Sequence, residues 1–217
     1  MPKPIILKLG GSLIYHNNGD ILRRIGSIIA TYASVHPLLI VAGGGPFADL
    51  VREYGRKFGL GEETCHFMAL GAMDQYAYLL REFIPGSEMT YLLNTEPLIP
   101  AGLTPPGKPL ILLVSKFFSQ VPEAALPRSW DVTSDSIAAY LAKRIDCSML
   151  VLVKSTDLDP SLWEPDVDPF FRQQLPMGMP VWFINGQDPE RLAGLLQVGT
   201  GRGICIPSHA FSGQLFL

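Results

Sequence analysis

Two lysines, two glycine turns and an acidic helix start are the residues of this sequence best suited to chemistry. Lys8-Leu9-Gly10-Gly11-Ser12 closes the apolar run Ile5-Ile6-Leu7. Glycines lack a Cβ, so their backbone N–H groups can approach a phosphate closely, and the adjacent lysine adds a point charge. A second glycine run, Gly43-Gly44-Gly45, follows Leu38-Leu39-Ile40-Val41-Ala42, and Pro46 then suits a first helical turn, where an anion is favoured. Asp131 and Asp135 flank another helix start, capped by Thr133 or Ser134. Lys154-Ser155-Thr156-Asp157-Leu158-Asp159 follows the apolar run Met149–Val153. Each feature alone has a plain structural reading: a turn with a snorkelling lysine, an over-supplied cap, a solvated strand-end lysine. Taken together they match what phosphoryl transfer needs, because its transition state spreads charge over oxygens and is stabilised by position and electrostatics. Two ammonium groups can bridge donor and acceptor oxygens while an aspartate between them keeps register. At an effective dielectric of ~20, each ~4 Å contact is worth on the order of 4 kcal/mol before desolvation.

The elements that must position these residues alternate. Ile5–Leu9 and Leu38–Ala42 read as fully buried strands, and Ile21, Ile25, Ile28, Ile29 and Tyr32 recur at helical spacing after Asp20, which predicts a helix over 20–34 with Asp20 as N-cap. The helix after Pro46 carries Phe47, Leu50, Val51 and Tyr54, and a long helix spans Glu62 to Phe83. Further strands are expected at 110–114, 149–153, 181–184 and 204–206, with helices at 134–144 and 189–196. This order predicts parallel βαβ units in an α/β fold, whose ligands gather at the carboxyl ends of the strands. Prolines and glycines between Met89 and Pro109 mark a lobe boundary, dividing residues 1–105 from 106–217 across one continuous sheet. On the long helix, His66, Leu70, Met73 and Ala77 share one face and Phe67, Gly71, Asp74 and Tyr78 the next. That surface suits a small ring with an ammonium group, or else a core stripe with one satisfied histidine.

Composition narrows the class. Seventeen Lys+Arg against twenty Asp+Glu give −3, so no sequence-wide positive field exists to hold a nucleic acid. With 47% hydrophobic and 17% charged residues the chain can bury a large core. Its apolar runs are too short to span a membrane, and Met1-Pro2-Lys3-Pro4 has no signal-peptide layout. Cys65, Cys147 and Cys205 fall in no metal-ligand spacing and read as reduced thiols of a cytoplasmic protein, with no protein-held metal expected. No G-x-x-x-x-G-K-[ST] sequence occurs, which excludes a P-loop. Gly43, Gly45 and Ala48 do fit G-x-G-x-x-A, so a dinucleotide site is an alternative, with Glu62 or Glu63 as its carboxylate.

Read in order, K-x-G-G-S, the triple glycine, the Ser134-Asp135-Ser136 helix start, K-x-T-D-x-D and the late Ile184-Asn185-Gly186 segment resemble the amino acid kinase superfamily over nearly the whole chain. The resemblance implies a three-layer αβα sandwich with a mainly parallel central sheet, an acceptor-binding N-terminal lobe and an ATP-binding C-terminal lobe. It implies that Lys8 contacts the transferred phosphoryl, that Gly10, Gly11, Ser12 and Ser134 serve the ATP phosphates, and that Asp135 orients Lys8 and Lys154. Asp157 and Asp159 would lie along the nucleotide, while Gly43, Gly44 and Gly45 would receive the acceptor, with His66, Asp74 and Asp131 around it. Magnesium would accompany ATP, and a homo-oligomer is implied. The segments 65–76 and 131–138 look most like a small archaeal and methylotroph branch whose acceptor, an aminomethylfuran methyl phosphate, becomes a diphosphate. Acceptors such as UMP, isopentenyl phosphate or an amino acid, and a non-catalytic nucleotide-binding role, are the alternatives within this resemblance. The chain departs from the family pattern at Leu158-Asp159-Pro160, where V-D-G is usual, and at Gly203-Ile204-Cys205-Ile206, where G-T-x-I is usual.

Overall fold

Strand periodicity decides which side chains face which helices. In the computed structural model, which describes residues 2–93, 98–100, 107–122, 125–158, 167–199 and 203–207, β1 (Ile5–Leu9) and β2 (Leu38–Ala42) are buried at every position. Such all-apolar strands need cover on both faces of the sheet. Ile5, Leu7 and Leu9 pack with Ile21, Leu22, Ile25 and Ile29 of α1 (Asp20–Tyr32) and with Leu192, Leu195 and Leu196 of α7 (Glu190–Val198). Ile6, Leu39 and Val41 point the other way, into a core with Ile137, Ala138 and Leu141 of α5 (Ser134–Ile145). The result is a three-layer αβα sandwich.

The remaining strands are β3 (Glu88–Thr90), the short antiparallel pair β4 (Leu92–Leu93) and β5 (Ile99–Pro100), then β6 (Leu110–Leu112), β7 (Met149–Lys154), β8 (Pro180–Asn185) and β9 (Ile204–Pro207). The main sheet runs β3-β6-β2-β1-β7-β8-β9, parallel throughout except for the antiparallel β9. The chain leaves β1 toward β2 on one side and returns to β7 on the other. That places a topological switch point, the crevice where ligands bind in such sheets, at the carboxyl ends of β1 and β7. Helices α2 (Gly45–Phe58) and α3 (Glu62–Phe83) pack together beside it, and α4 (Ser115–Phe118) and α6 (Phe171–Gln174) are single turns.

Helix α3 has the bounds expected from the sequence, and α2 carries Pro46 in its first turn. Asp20, expected as a cap, is instead the first residue of α1, and Gly19 holds the cap position in the left-handed region at φ +84°. Of the apolar residues read on α2, Leu50 and Tyr54 are exposed, whereas Val51 is buried. The strand expected to reach Val114 stops at Leu112, because the Asp74 carboxylate accepts the Val114 N–H at 2.7 Å and starts α4. The lobe boundary at 105/106 lies outside the described residues.

Candidate active site

Register brings the two lysines together. Lys8 pairs across the sheet with Leu152, so Lys154 stands two positions further along the neighbouring strand and on the same face, the one covered by α5. Helix α5 begins over that face, with the Thr133 hydroxyl accepting the Asp135 N–H at 3.2 Å. Asp135 therefore points down between the lysines. Lys154 Nζ donates to its Oδ2 at 2.7 Å, and Lys8 Nζ forms an ion pair with Oδ1 at 2.7 Å. Side-chain exposures of 6% for Lys8, 6% for Asp135 and 18% for Lys154 leave little water to screen the charges. Burial pulls the Lys8 pKa below the ordinary lysine value, although Asp135 resists the shift. Burial would raise Asp135, but the ammonium groups of Lys8 and Lys154 outweigh it and hold the carboxyl below its ordinary range. A charged triad with a net positive excess at the rim suits an incoming polyanion.

The two glycine turns meet backbone to backbone above β1. A Cβ on Gly11 would overlap the Gly45 amide nitrogen, and Gly45 itself sits at φ +56°, so neither position accepts a larger residue without strain. Gly10 and Gly43 serve the framework: their N–H groups go to Val153 O at 2.8 Å and Leu9 O at 2.9 Å. The buried Tyr76 hydroxyl donates to Gly10 O at 3.4 Å, and burial raises its pKa far above the usual tyrosine value. Gly11, Ser12, Gly44 and Gly45 remain on the cavity wall. Ser12 Oγ and Ser155 Oγ, 2.8 Å apart, join the loop after β1 to the loop after β7.

Lys8 and these glycines open into a cavity of about 310 Å³. His66, Leu70 and Met73 of α3 form one wall, and Ser134, expected on the nucleotide side, lines the same space. Burial lowers the His66 pKa, opposed by a hydrogen bond to the Ser129 backbone, and the ring faces the cavity with one partner already taken. The lining also holds residues that sequence reasoning did not single out. Asp49 accepts from Tyr15 Oη at 2.7 Å and from Arg52 Nη1 at 2.7 Å, and the Arg52 guanidinium lies 4.9 Å from the centre of the Trp130 ring. All four line the cavity. Their only sequence signal was an acid and a base three residues apart just after the triple glycine.

Two expected acceptor residues stand elsewhere. Asp74 is absent from the cavity wall. Its carboxylate holds the start of α4 instead, accepting from Val114 N at 2.7 Å and Ser115 Oγ at 2.5 Å. Asp131 is exposed, in a turn where its N–H donates to Ser129 Oγ at 3.2 Å, while Trp130 and Val132 on either side face the cavity. Asp157 binds Asn185 Nδ2 at 2.9 Å and pairs with Arg191, outside the cavity on the β7–β8 side. Asp159 lies outside the described residues. Glu63, a possible dinucleotide carboxylate, is paired with Arg128. Among the described residues no group of three or more His, Cys, Asp or Glu is placed to hold a metal ion.

The fold is shared with solved uridylate kinases. The enzyme of Archaeoglobus fulgidus superposes with a TM-score of 0.62 at 18% identity, covering 90% of this chain and 96% of that one. That of Ureaplasma parvum gives 0.63 at 13%, covering 95% and 100%. Among curated proteins, the chain is 24% identical over 215 residues to the [5-(aminomethyl)furan-3-yl]methyl phosphate kinase of Methanocaldococcus jannaschii, covering 88% of this chain and 92% of that protein. It is 27% identical over 154 residues to the uridylate kinase of Methanosarcina barkeri, covering 70% and 60%. Residues 3–158 match the family model described as "Amino acid kinase family". That span contains the whole Lys8–Asp135–Lys154 triad and both glycine turns, and the chain belongs to the amino acid kinase family as a phosphotransferase.

Proposed function

We propose that the protein transfers the γ-phosphoryl of ATP to the phosphate of a small monoester carrying a ring and an amine, an aminomethylfuran methyl phosphate, to give a diphosphate. The cavity wall carries this reading: beside the phosphoryl-handling Lys8 it offers a guanidinium for an anion, a carboxylate for an ammonium and the Trp130 face for a flat ring. Asp49, rather than Asp74, takes the role of amine partner. The relative from Methanocaldococcus jannaschii, whose name specifies that acceptor, supports the same reading.

In this mechanism residues 1–105 supply the acceptor wall apart from Trp130, and residues 106–217 supply Trp130, Lys154 and the nucleotide side with Asp157. Lys8 and Lys154, spaced by Asp135, face the transferring group and its bridging oxygen. Their fixed charges need no reorganisation as charge moves between oxygens. The Gly44–Gly45 start of α2 adds N–H groups toward the acceptor's phosphate. Magnesium enters with the nucleotide's phosphates, and no step is assigned to it. The test is ADP release across a panel of the aminomethylfuran phosphate, UMP, isopentenyl phosphate and acetylglutamate. Preferred turnover of the first supports the reading, and preferred turnover of UMP replaces it with a uridylate kinase, the activity named for other relatives.

A further inference from the structure

The start of α5 is held by a carboxylate from a distant loop. Asp168 lies beyond the segment matched by the family model, between β7 and β8. Its Oδ2 accepts from Thr133 N at 3.1 Å, Thr133 Oγ1 at 2.6 Å and Ser136 N at 3.1 Å. Its Oδ1 accepts from Phe170 N and Phe171 N, each at 3.1 Å, and from the Ser136 hydroxyl. One side chain thus joins two chain segments and takes N–H donors that the first turn of a helix otherwise leaves unmet. The Thr133 hydroxyl passes this contact on: it donates to Asp168 and accepts from the N–H of Asp135. Asp135 sits between the two residues that Asp168 grips, and its own carboxylate sets both lysines.

We propose that Asp168 is a positioning residue for phosphoryl transfer, fixing the height and rotation of the α5 start so that Asp135 holds Lys8 and Lys154 in register. It acts through the residues it grips on either side of Asp135, with the Thr133 hydroxyl as the direct link to the Asp135 N–H. Such a residue changes the rate of the chemical step more than the affinity for either substrate, because a displacement of about 1 Å at a reacting centre costs on the order of a hundredfold.

The proposal rests on the lysine pair being the phosphoryl-handling groups, and Lys8→Ala serves as the control for that premise. Asp168→Asn is close in shape, yet both carboxylate oxygens receive backbone N–H donors, so either amide orientation turns an NH₂ against N–H groups. The expected result is a kcat about a hundredfold lower by ADP release, with KM for ATP and acceptor within threefold, and faster amide hydrogen exchange across 133–137. Thr133→Val should lower kcat alone in the same way, and Thr133→Ser, which restores the hydroxyl, should recover most of it. These threonine variants also decide the matter if Asp168→Asn does not fold. The proposal is overturned if Lys8→Ala is inactive while Asp168→Asn, or Thr133→Val, keeps kcat within threefold. Hydrogen exchange unchanged across 133–137 in a folded Asp168→Asn protein overturns it equally, and needs no acceptor. An active Lys8→Ala protein defeats the premise instead.

Discussion

The protein holds acid–base pairs in two contrasting settings at the same edge of its sheet. Asp135 with Lys8 and Lys154 is buried under α5, whereas Asp157 with Arg191 and Asn185 stands in solvent on the β7–β8 side. Both hold a carboxylate against at least one cation, but only the buried set resists its own charges. There, desolvation works against ionisation and the partners must overcome it, so removing one partner leaves an uncompensated buried charge at a cost of about 3–5 kcal/mol. The exposed set is screened by water and ions, and its side chains spend entropy to stay in place. In the proposed function, the difference separates a preorganised charge cluster at the transferred phosphoryl from an adaptable contact on the nucleotide side.

Breaking the buried set should have the largest effect. Lys8→Ala is expected to lower kcat by about a thousandfold while circular dichroism stays native, and turnover within tenfold of wild type would remove the lysine from the mechanism. Asp135→Asn should lose comparable activity and, unlike Lys8→Ala, leave two buried ammonium groups facing each other. A drop in Tm is therefore expected as well, measured by calorimetry.

The pH dependence sharpens the same contrast. Asp135 has a folded-state pKa below its ordinary value, so the stability it contributes is complete above ~3.9 and is lost as pH falls through the lower folded value. Denaturant titrations should find this contribution intact at pH 5. Lys8 has its pKa lowered by burial, so the basic limb of kcat should fall below the ordinary lysine value of ~10.4. Any residual activity of Asp135→Asn should show that limb lower still. On the acceptor wall, Arg52→Ala should raise the acceptor KM about tenfold or more and spare the KM for ATP, as steady-state kinetics would read. Smallest of all, Asp157→Asn should leave Tm unchanged within error, and any effect on the KM for ATP should fade at high salt.

Much of this arrangement could be read from the residues. Continuous apolar runs announced β1, β2 and β7, their parallel pairing placed Lys8 and Lys154 at one rim, and Asp135 followed from its place at a helix start. Three features were hidden, since each depends on a partner remote in sequence. Asp74 occupies a face of α3 that resembles a ligand surface until Ser115 is brought to it across 41 residues. Asp49 and Arg52 look like a solvated pair on α2 until Trp130 closes over the guanidinium. Asp168 sits in a Pro/Asp-rich stretch with no periodic signal, 35 residues from the Thr133 it holds. Helical and strand periods report which way a side chain points, but only the assembled fold shows what it meets.

A crystal structure with a non-hydrolysable ATP analogue would test the account most directly. The Nζ atoms of Lys8 and Lys154 should both lie about 2.7–3.2 Å from oxygens of the same triphosphate, with Asp135 still between them. Phosphates seated beyond reach of either amine would contradict it.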